Sequence, residues 1–166
     1  MADINTDSLA ERTHDHLNLY IRLADRKASI LLTGQFAFLG LAATTAANIS
    51  TPSNPLNSFV TQFGVMTAVA GIVAAVLCIV AIYPRTPSPG DSVIYWGDIR
   101  RRDDAETYTD DVTDLDGDKP RETVLEQNYV LAGVAETKYA YLRRSLWATV
   151  VMIGMAAVTG GVYLCF

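Results

Sequence analysis

Charge is absent from long parts of this chain. No Asp, Glu, Lys or Arg occurs in residues 28–84, and none in residues 145–166. A soluble surface is excluded for such stretches, and a bilayer interior is the environment that suits them. Two apolar runs, residues 30–49 and 59–83, lie in the first stretch, and a third, residues 146–166, ends the chain. Each is about as long as a helix needs to be to cross a ~30 Å hydrocarbon core. In lipid each backbone amide has to be paired within its own segment, which selects helix. The predicted fold is an all-α membrane protein with three transmembrane helices, the first and third extended into a cytoplasmic helical stalk.

Other absences narrow the reading. Residues 50–58 hold no Lys or Arg, whereas four basic residues precede the first span and nine lie between the second and third. The positive-inside rule then predicts a cell-membrane, multi-pass protein with N-terminus cytoplasmic and C-terminus outside. Tyr83 and Trp147 suit the inner interface and Tyr163 the outer one. Cysteine is scarce: Cys78 and Cys165 both fall in spans, which argues against a disulfide framework or a zinc site. With 18 acids against 13 bases, the net charge of −5 argues against general nucleic-acid binding. No Gly-rich phosphate loop, GxSxG, HExxH or kinase set occurs, so no catalytic residue, cofactor or enzymatic step is expected. The first apolar run starts too late and is too long for a cleaved leader.

What remains is polar and divides in order. Residues 1–29 form a cytoplasmic N-terminal helix, 50–58 an outer loop turned by Pro52, Asn54 and Pro55, and 84–145 a cytoplasmic module. Ser8-Leu9-Ala10-Glu11 has capping-box spacing, so the first helix is expected to begin near Leu9. No Gly or Pro follows until Gly34, so it is expected to run on through the first span. Pro84 ends the second span, and residues 86–90 are a stiff linker. Residues 93–99, the one apolar-aromatic cluster of the module, are read as a short strand or an extended segment. Residues 100–119 are mostly charged, with helix expected near 105–112. A last helix opens at Pro120, or at a Thr123–Glu126 capping box, and continues into the third span. About 25 residues of it would project some ~35 Å from the bilayer.

Three charged motifs resolve to plain readings. Asp114-Leu115-Asp116-Gly117-Asp118 resembles a calcium loop, but its sixth position is Lys119 and its twelfth Leu125, so it reads as a solvated acidic loop. His14 and His16 point to different sides of a helix and have no evident third ligand, so no metal site is expected. Arg100, Arg101 and Arg102 suit local salt bridges and lipid head groups, with a phosphate-binding face as the alternative. A fourth constellation is doubled. Asp25-Arg26-Lys27 stands at the foot of the first span, and Glu136-Thr137-Lys138 with Arg143-Arg144 leads into the third. Lys138 lies about two turns from the bilayer, too far for simple anchoring.

At these residues the chain resembles the Pycsar transmembrane effectors (PycTM). The matching segments are Ala24-Asp25-Arg26-Lys27-Ala28, Tyr95-Trp96-Gly97-Asp98-Ile99, Gln127-Asn128-Tyr129-Val130-Leu131, and Lys138-Tyr139-Ala140-Tyr141-Leu142-Arg143-Arg144. The resemblance runs from about Glu11 to the end of the chain, and the acidic insert 103–119 departs from it. It implies an antiphage-defence membrane effector that responds to a cyclic pyrimidine mononucleotide from a partner cyclase and disrupts the lipid bilayer. Three spans are too few to enclose a pore, so a homo-oligomer is expected. For such a ligand, Lys27, Lys138 and Arg143 are candidate phosphate donors, with Asp25 and Glu136 orienting the lysines. Tyr95, Trp96 and Tyr139 offer faces for the base, and Gln127 or Asp98 an edge partner. The alternative is a non-channel membrane scaffold whose stalk docks a protein partner.

Overall fold

With no helix breaker in its first turns, the chain winds early and stays wound. The computed structural model describes residues 6–48, 56–85, 87 and 90–165, with the side chains at 46–48, 56, 57 and 163–165 outside that description. Five helices follow in order: α1 (Thr6–Asn48), α2 (Leu56–Ile82), α3 (Trp96–Ile99), α4 (Ala105–Thr113) and α5 (Lys119–Cys165). No strand occurs among the described residues. The first, second and fifth are long and apolar enough to cross a membrane, with mean hydropathies of 1.4, 2.8 and 1.7. The chain is thus an all-α membrane protein whose first and third spans belong to helices of 43 and 47 residues.

Local details correct several expectations. Helix α1 is already wound at Thr6, so Ser8 lies inside it and does not cap it. Helix α5 opens at Lys119, with Pro120 in its first turn, where the missing N–H costs nothing. Thr123 is inside the helix and donates back to the Lys119 carbonyl at 3.0 Å, so it is no cap either. Residues 93–99 hold neither strand nor extended run: they turn into the one-turn helix α3. The outer turn with Pro52, Asn54 and Pro55, the linker residues Thr86, Ser88 and Pro89, and the side chains of Tyr163 and Cys165 lie outside the described residues.

The helices divide between two compact units. One joins the chain up to Leu23 with Pro84–Thr137, and the other joins Ala24–Tyr83 with Lys138–Phe166. The second is the membrane bundle. Its core is small: Ala28 of α1, Cys78 and Ala81 of α2, and Leu142 of α5, with Leu31, Leu32 and Ile82 packed around them. Further in, Gly71 lets α2 approach its neighbours. A Cβ there would stand 2.6 Å from Leu39 Cδ2 and 2.9 Å from Met152 Sδ. Close approach through small residues is how membrane helices gain packing contacts, since lipid supplies no hydrophobic drive between them. Val65, Val69, Ile72 and Val76 point outward and are about half exposed, as a lipid-facing surface should be.

A polar node ties the three spans. Ser145 Oγ donates to the Ala74 carbonyl at 2.8 Å, and Thr149 Oγ1 to the Ser145 carbonyl at 2.8 Å. Both hydroxyl hydrogens are therefore committed. The Gln35 amide nitrogen then donates to both oxygens, at 3.2 and 2.7 Å, and the Cys78 thiol at 3.0 Å donates to Ser145 Oγ. Gln35 Oε1 is buried with no partner.

Candidate ligand-binding site at the helix ends

Lys138 owes its position to α5, which presents it on the side that carries Ala135 and Leu142, both buried. The residue is 3 % exposed. Its ammonium donates to Asp25 Oδ1 of α1 at 2.5 Å, to the Ala81 carbonyl at 3.0 Å and to the Ile82 carbonyl at 3.4 Å. The two carbonyls close α2, beyond the Ile79 carbonyl that Tyr83 N–H still reaches at 2.8 Å, and sit at the negative end of the helix dipole. Lys138 thus caps α2 from another helix, and Asp25 neutralises it. An ammonium has three hydrogens, and all three are engaged. A ligand phosphate reaching Lys138 would have to take the place of Asp25.

The neighbouring cations are open. Lys27 is exposed, with its ammonium 5.8 Å from the centre of the Tyr139 ring. Arg143 is exposed one turn after Tyr139, on the same side of α5. Arg144 lies over Tyr141 at 5.3 Å. Among the described residues, no ion pair links Lys27 or Arg143 to an acid of the chain. The structure therefore brings together Asp25, Lys27, Lys138 and Tyr139, with Arg143 beside them. Glu136, the expected second orienting acid, is exposed and belongs to the other unit.

Trp96, Asp98 and Gln127 also belong to that other unit. Asp98 is 2 % exposed and works for the backbone: Oδ2 accepts from Ser92 N–H and Oδ1 from the Arg101 guanidinium, each at 3.1 Å. Ser92 Oγ accepts from the N–H groups of Ile94 and Tyr95 at 3.2 Å. These bonds wind residues 92–99 into a turn and helix where periodicity suggests a strand. The Tyr95 ring lies against Gly97: a Cβ there would stand 2.6 Å from it, so the ring would have to move. Trp96 is 65 % exposed. Gln127 is buried, and its Oε1 has no partner.

The arginine cluster splits by role. Arg102 reaches Asp111 at 2.6 Å and Asp91 at 3.6 Å, and lies 5.7 Å from the centre of the Tyr108 ring. The hydrogen bond to Asp111 raises its pKa above the usual guanidinium value. Arg101 pairs with Asp98, and Arg100 is exposed. Local salt bridges therefore account for two of the three. Helix α4 starts on Asp104, whose carboxylate accepts from the Thr107 N–H at 2.8 Å, and that bond holds its pKa below the usual carboxylate value. Asn128 Nδ2 donates to the Ala10 carbonyl at 2.9 Å, which turns Oδ1 toward His14 Nδ1–H at 3.1 Å. No group of three or more His, Cys, Asp or Glu with metal-holding geometry occurs among the described residues.

Sequence reasoning missed the bonds from Lys138 to α2, and although it expected local salt bridges for Arg102 it did not name Asp111 as the partner. Each joins residues far apart along the chain or across a turn, and neither leaves a spacing signal.

Comparison with known proteins agrees with this architecture. The PycTM family, described as the Pycsar effector protein domain, matches residues 9–165. A curated relative, the Pycsar effector protein SaPycTM of Staphylococcus aureus, is 25 % identical over 139 residues, covering 83 % of this chain and 84 % of the relative. No solved structure matches the chain. The match spans all three membrane helices and the charged cluster at their ends, and the chain belongs to the PycTM family of Pycsar effectors, membrane proteins of antiphage defence.

Proposed function

We propose that the protein answers a cyclic pyrimidine mononucleotide at its cytoplasmic face and, after self-assembly, disrupts the membrane without an enzymatic step. The N-terminus lies in the cytoplasm and Phe166 outside. The observation that carries this reading is the pair of exposed cations, Lys27 and Arg143, beside the half-buried Tyr139 where α5 enters its membrane span. A cyclic mononucleotide offers one phosphate anion and one flat base, and this group offers Lys27 and Arg143 for the first and Tyr139 for the second. Behind it, Lys138 holds the end of α2, so a phosphate that competes with Asp25 for Lys138 acts directly on a membrane helix. That link between site and span is the proposed trigger.

The test is reconstitution into dye-loaded vesicles, with titration by cyclic pyrimidine and cyclic purine mononucleotides. Binding and dye release with a pyrimidine are expected. Lys27→Ala or Arg143→Ala should weaken binding roughly tenfold to a hundredfold, the effect of one charged hydrogen bond. Unchanged binding by both variants would move the site elsewhere. A parent protein that binds no cyclic mononucleotide would overturn the reading.

A further inference from the structure

The unit that joins residues up to Leu23 with Pro84–Thr137 leaves two helix faces bare, of opposite character. On α1, Leu9 and Leu19 are 54 % and 49 % exposed, and exposed Arg12 and His16 lie between them on the same side, with exposed Asp15 at its edge. Leu19 is on the opposite side of α1 from buried Ala10. On α5, Leu125 and Tyr129 are 49 % and 83 % exposed, with exposed Glu122, Glu126 and Glu136 on the same side. Tyr129 is on the opposite side of α5 from buried Gln127. The spacing 122, 125, 129, 132, 136 alternates three and four, the pattern of a seam between parallel helices. A hydrophobic strip rimmed by charge and turned to solvent marks an interaction surface.

From these faces we infer that copies of this chain join head to tail, the α1 face of one seated on the α5 face of the next. The inference deepens the self-assembly in the proposed function and names its surfaces.

Charge disfavours the symmetric pairings. An α5 face against itself sets Glu against Glu, and an α1 face against itself leaves those glutamates unmatched and brings Arg12 near Arg12, with Asp15 as the one acid beside it. The mixed pairing sets Arg against Glu, and height decides which. Within the unit the two helices run in parallel: Thr6 meets Arg121, and His14 meets Asn128, an offset of 114 residues in the second case. Both helices continue into spans, so every copy in one bilayer has them at the same level and pointing the same way. Arg12 and Glu126 stand at that same offset of 114, as do Arg22 and Glu136. Leu19 then falls level with Gly133, where open space would receive it. Among the described residues these four charged side chains have no ion pair within the chain. A contact that uses two different faces leaves one of each free at the ends, so it propagates until a ring closes.

Disulfide crosslinking in native membranes tests this with two differently tagged copies. One carries Leu19→Cys and the other Gly133→Cys, and the parent chain with its own cysteines serves as background. The mixed pair should crosslink, and either variant alone should not rise above background. Arg12→Glu should lower the mixed crosslink roughly fivefold, and adding Glu126→Arg in the partner copy should restore it. Self-crosslinking of either variant, or no mixed crosslink in correctly inserted protein, would overturn the inference. Mixed crosslinks with no dye release on adding nucleotide would leave these surfaces standing and sink the proposed trigger instead.

Discussion

Lys138 holds Asp25 with one N–H and the end of α2 with the other two. One side chain therefore joins a charge on the first membrane helix to the orphan carbonyls of the second. The two partners are not equivalent. Without Lys138, two carbonyls and a carboxylate lose their donor together. Without the charge of Asp25, the ammonium still has both carbonyls.

Lys138→Met is accordingly expected to cost about 2–3 kcal/mol, because the α2 carbonyls lose a buried donor while Asp25, 36 % exposed, can turn to water. Asp25→Asn keeps an acceptor oxygen and should cost only about 1–2 kcal/mol. Thermal unfolding in detergent, followed by circular dichroism, should rank the midpoints parent, Asp25→Asn, Lys138→Met. The reverse ranking of the two variants would show that the Asp25 contact, not the α2 cap, is the main work of Lys138.

Gln35 gives a prediction of near neutrality. Its amide nitrogen bridges Ser145 and Thr149, but its Oε1 is buried without a partner. The two hydroxyls keep their bonds to backbone carbonyls when the amide is removed. Gln35→Leu should therefore stay within about 1 kcal/mol of the parent, since polar contacts between membrane helices are worth little on average. Gln35→Ala leaves a cavity and should fall about 2–3 kcal/mol lower. Equal losses for the two would mean that the amide bonds, and not its volume, hold the bundle there.

Acid should loosen α4. Its N-cap Asp104 is held below the ordinary carboxylate pKa by the bond from Thr107 N–H. A folded-state pKa below the unfolded value means that the cap contributes fully above about pH 4. The contribution fades as pH falls through the lowered value. Amide exchange at Glu106 and Thr107 should quicken over that interval. Asp104→Asn, which caps without titrating, should remove the pH dependence and keep the helix.

These outcomes bear on what a sequence can disclose. The spans were legible because charge is excluded from lipid, a rule that acts on each residue separately. The long first helix was legible because neither Gly nor Pro interrupts it before Gly34, and the last because its one Pro stands in its first turn. Residues 93–99 were not, because their helix depends on Ser92 and Asp98 reaching over backbone N–H groups, and the apolar pattern says nothing of that. Of the candidate site, Asp25, Lys27, Lys138 and Tyr139 do gather in one place. That Lys138 caps α2 could not be read, since Ala81 and Ile82 contribute only main-chain oxygens. Trp96, Asp98 and Gln127 fall in the other unit, and Asp98 is occupied in holding its own turn.

The fastening of Arg102 to Asp111 makes the insert answer to ionic strength. Helix α4 and its flanks carry Asp103, Asp104, Glu106, Asp110, Asp111, Asp114, Asp116 and Asp118, all exposed. Arg102 meets one of them, and Arg121 pairs with Asp118 at 2.9 Å. Among the described residues the other six of these carboxylates have no ion pair. In dilute buffer their mutual repulsion pulls the insert apart, and only a few contacts oppose it. At 1 M salt the Debye length shrinks to about 3 Å. Repulsion across open solvent is then quenched, while the short contact of Arg102, whose side chain is only 8 % exposed, is screened far less. Brine should therefore tighten this part of the molecule, against the usual expectation that salt weakens a fold built on ion pairs.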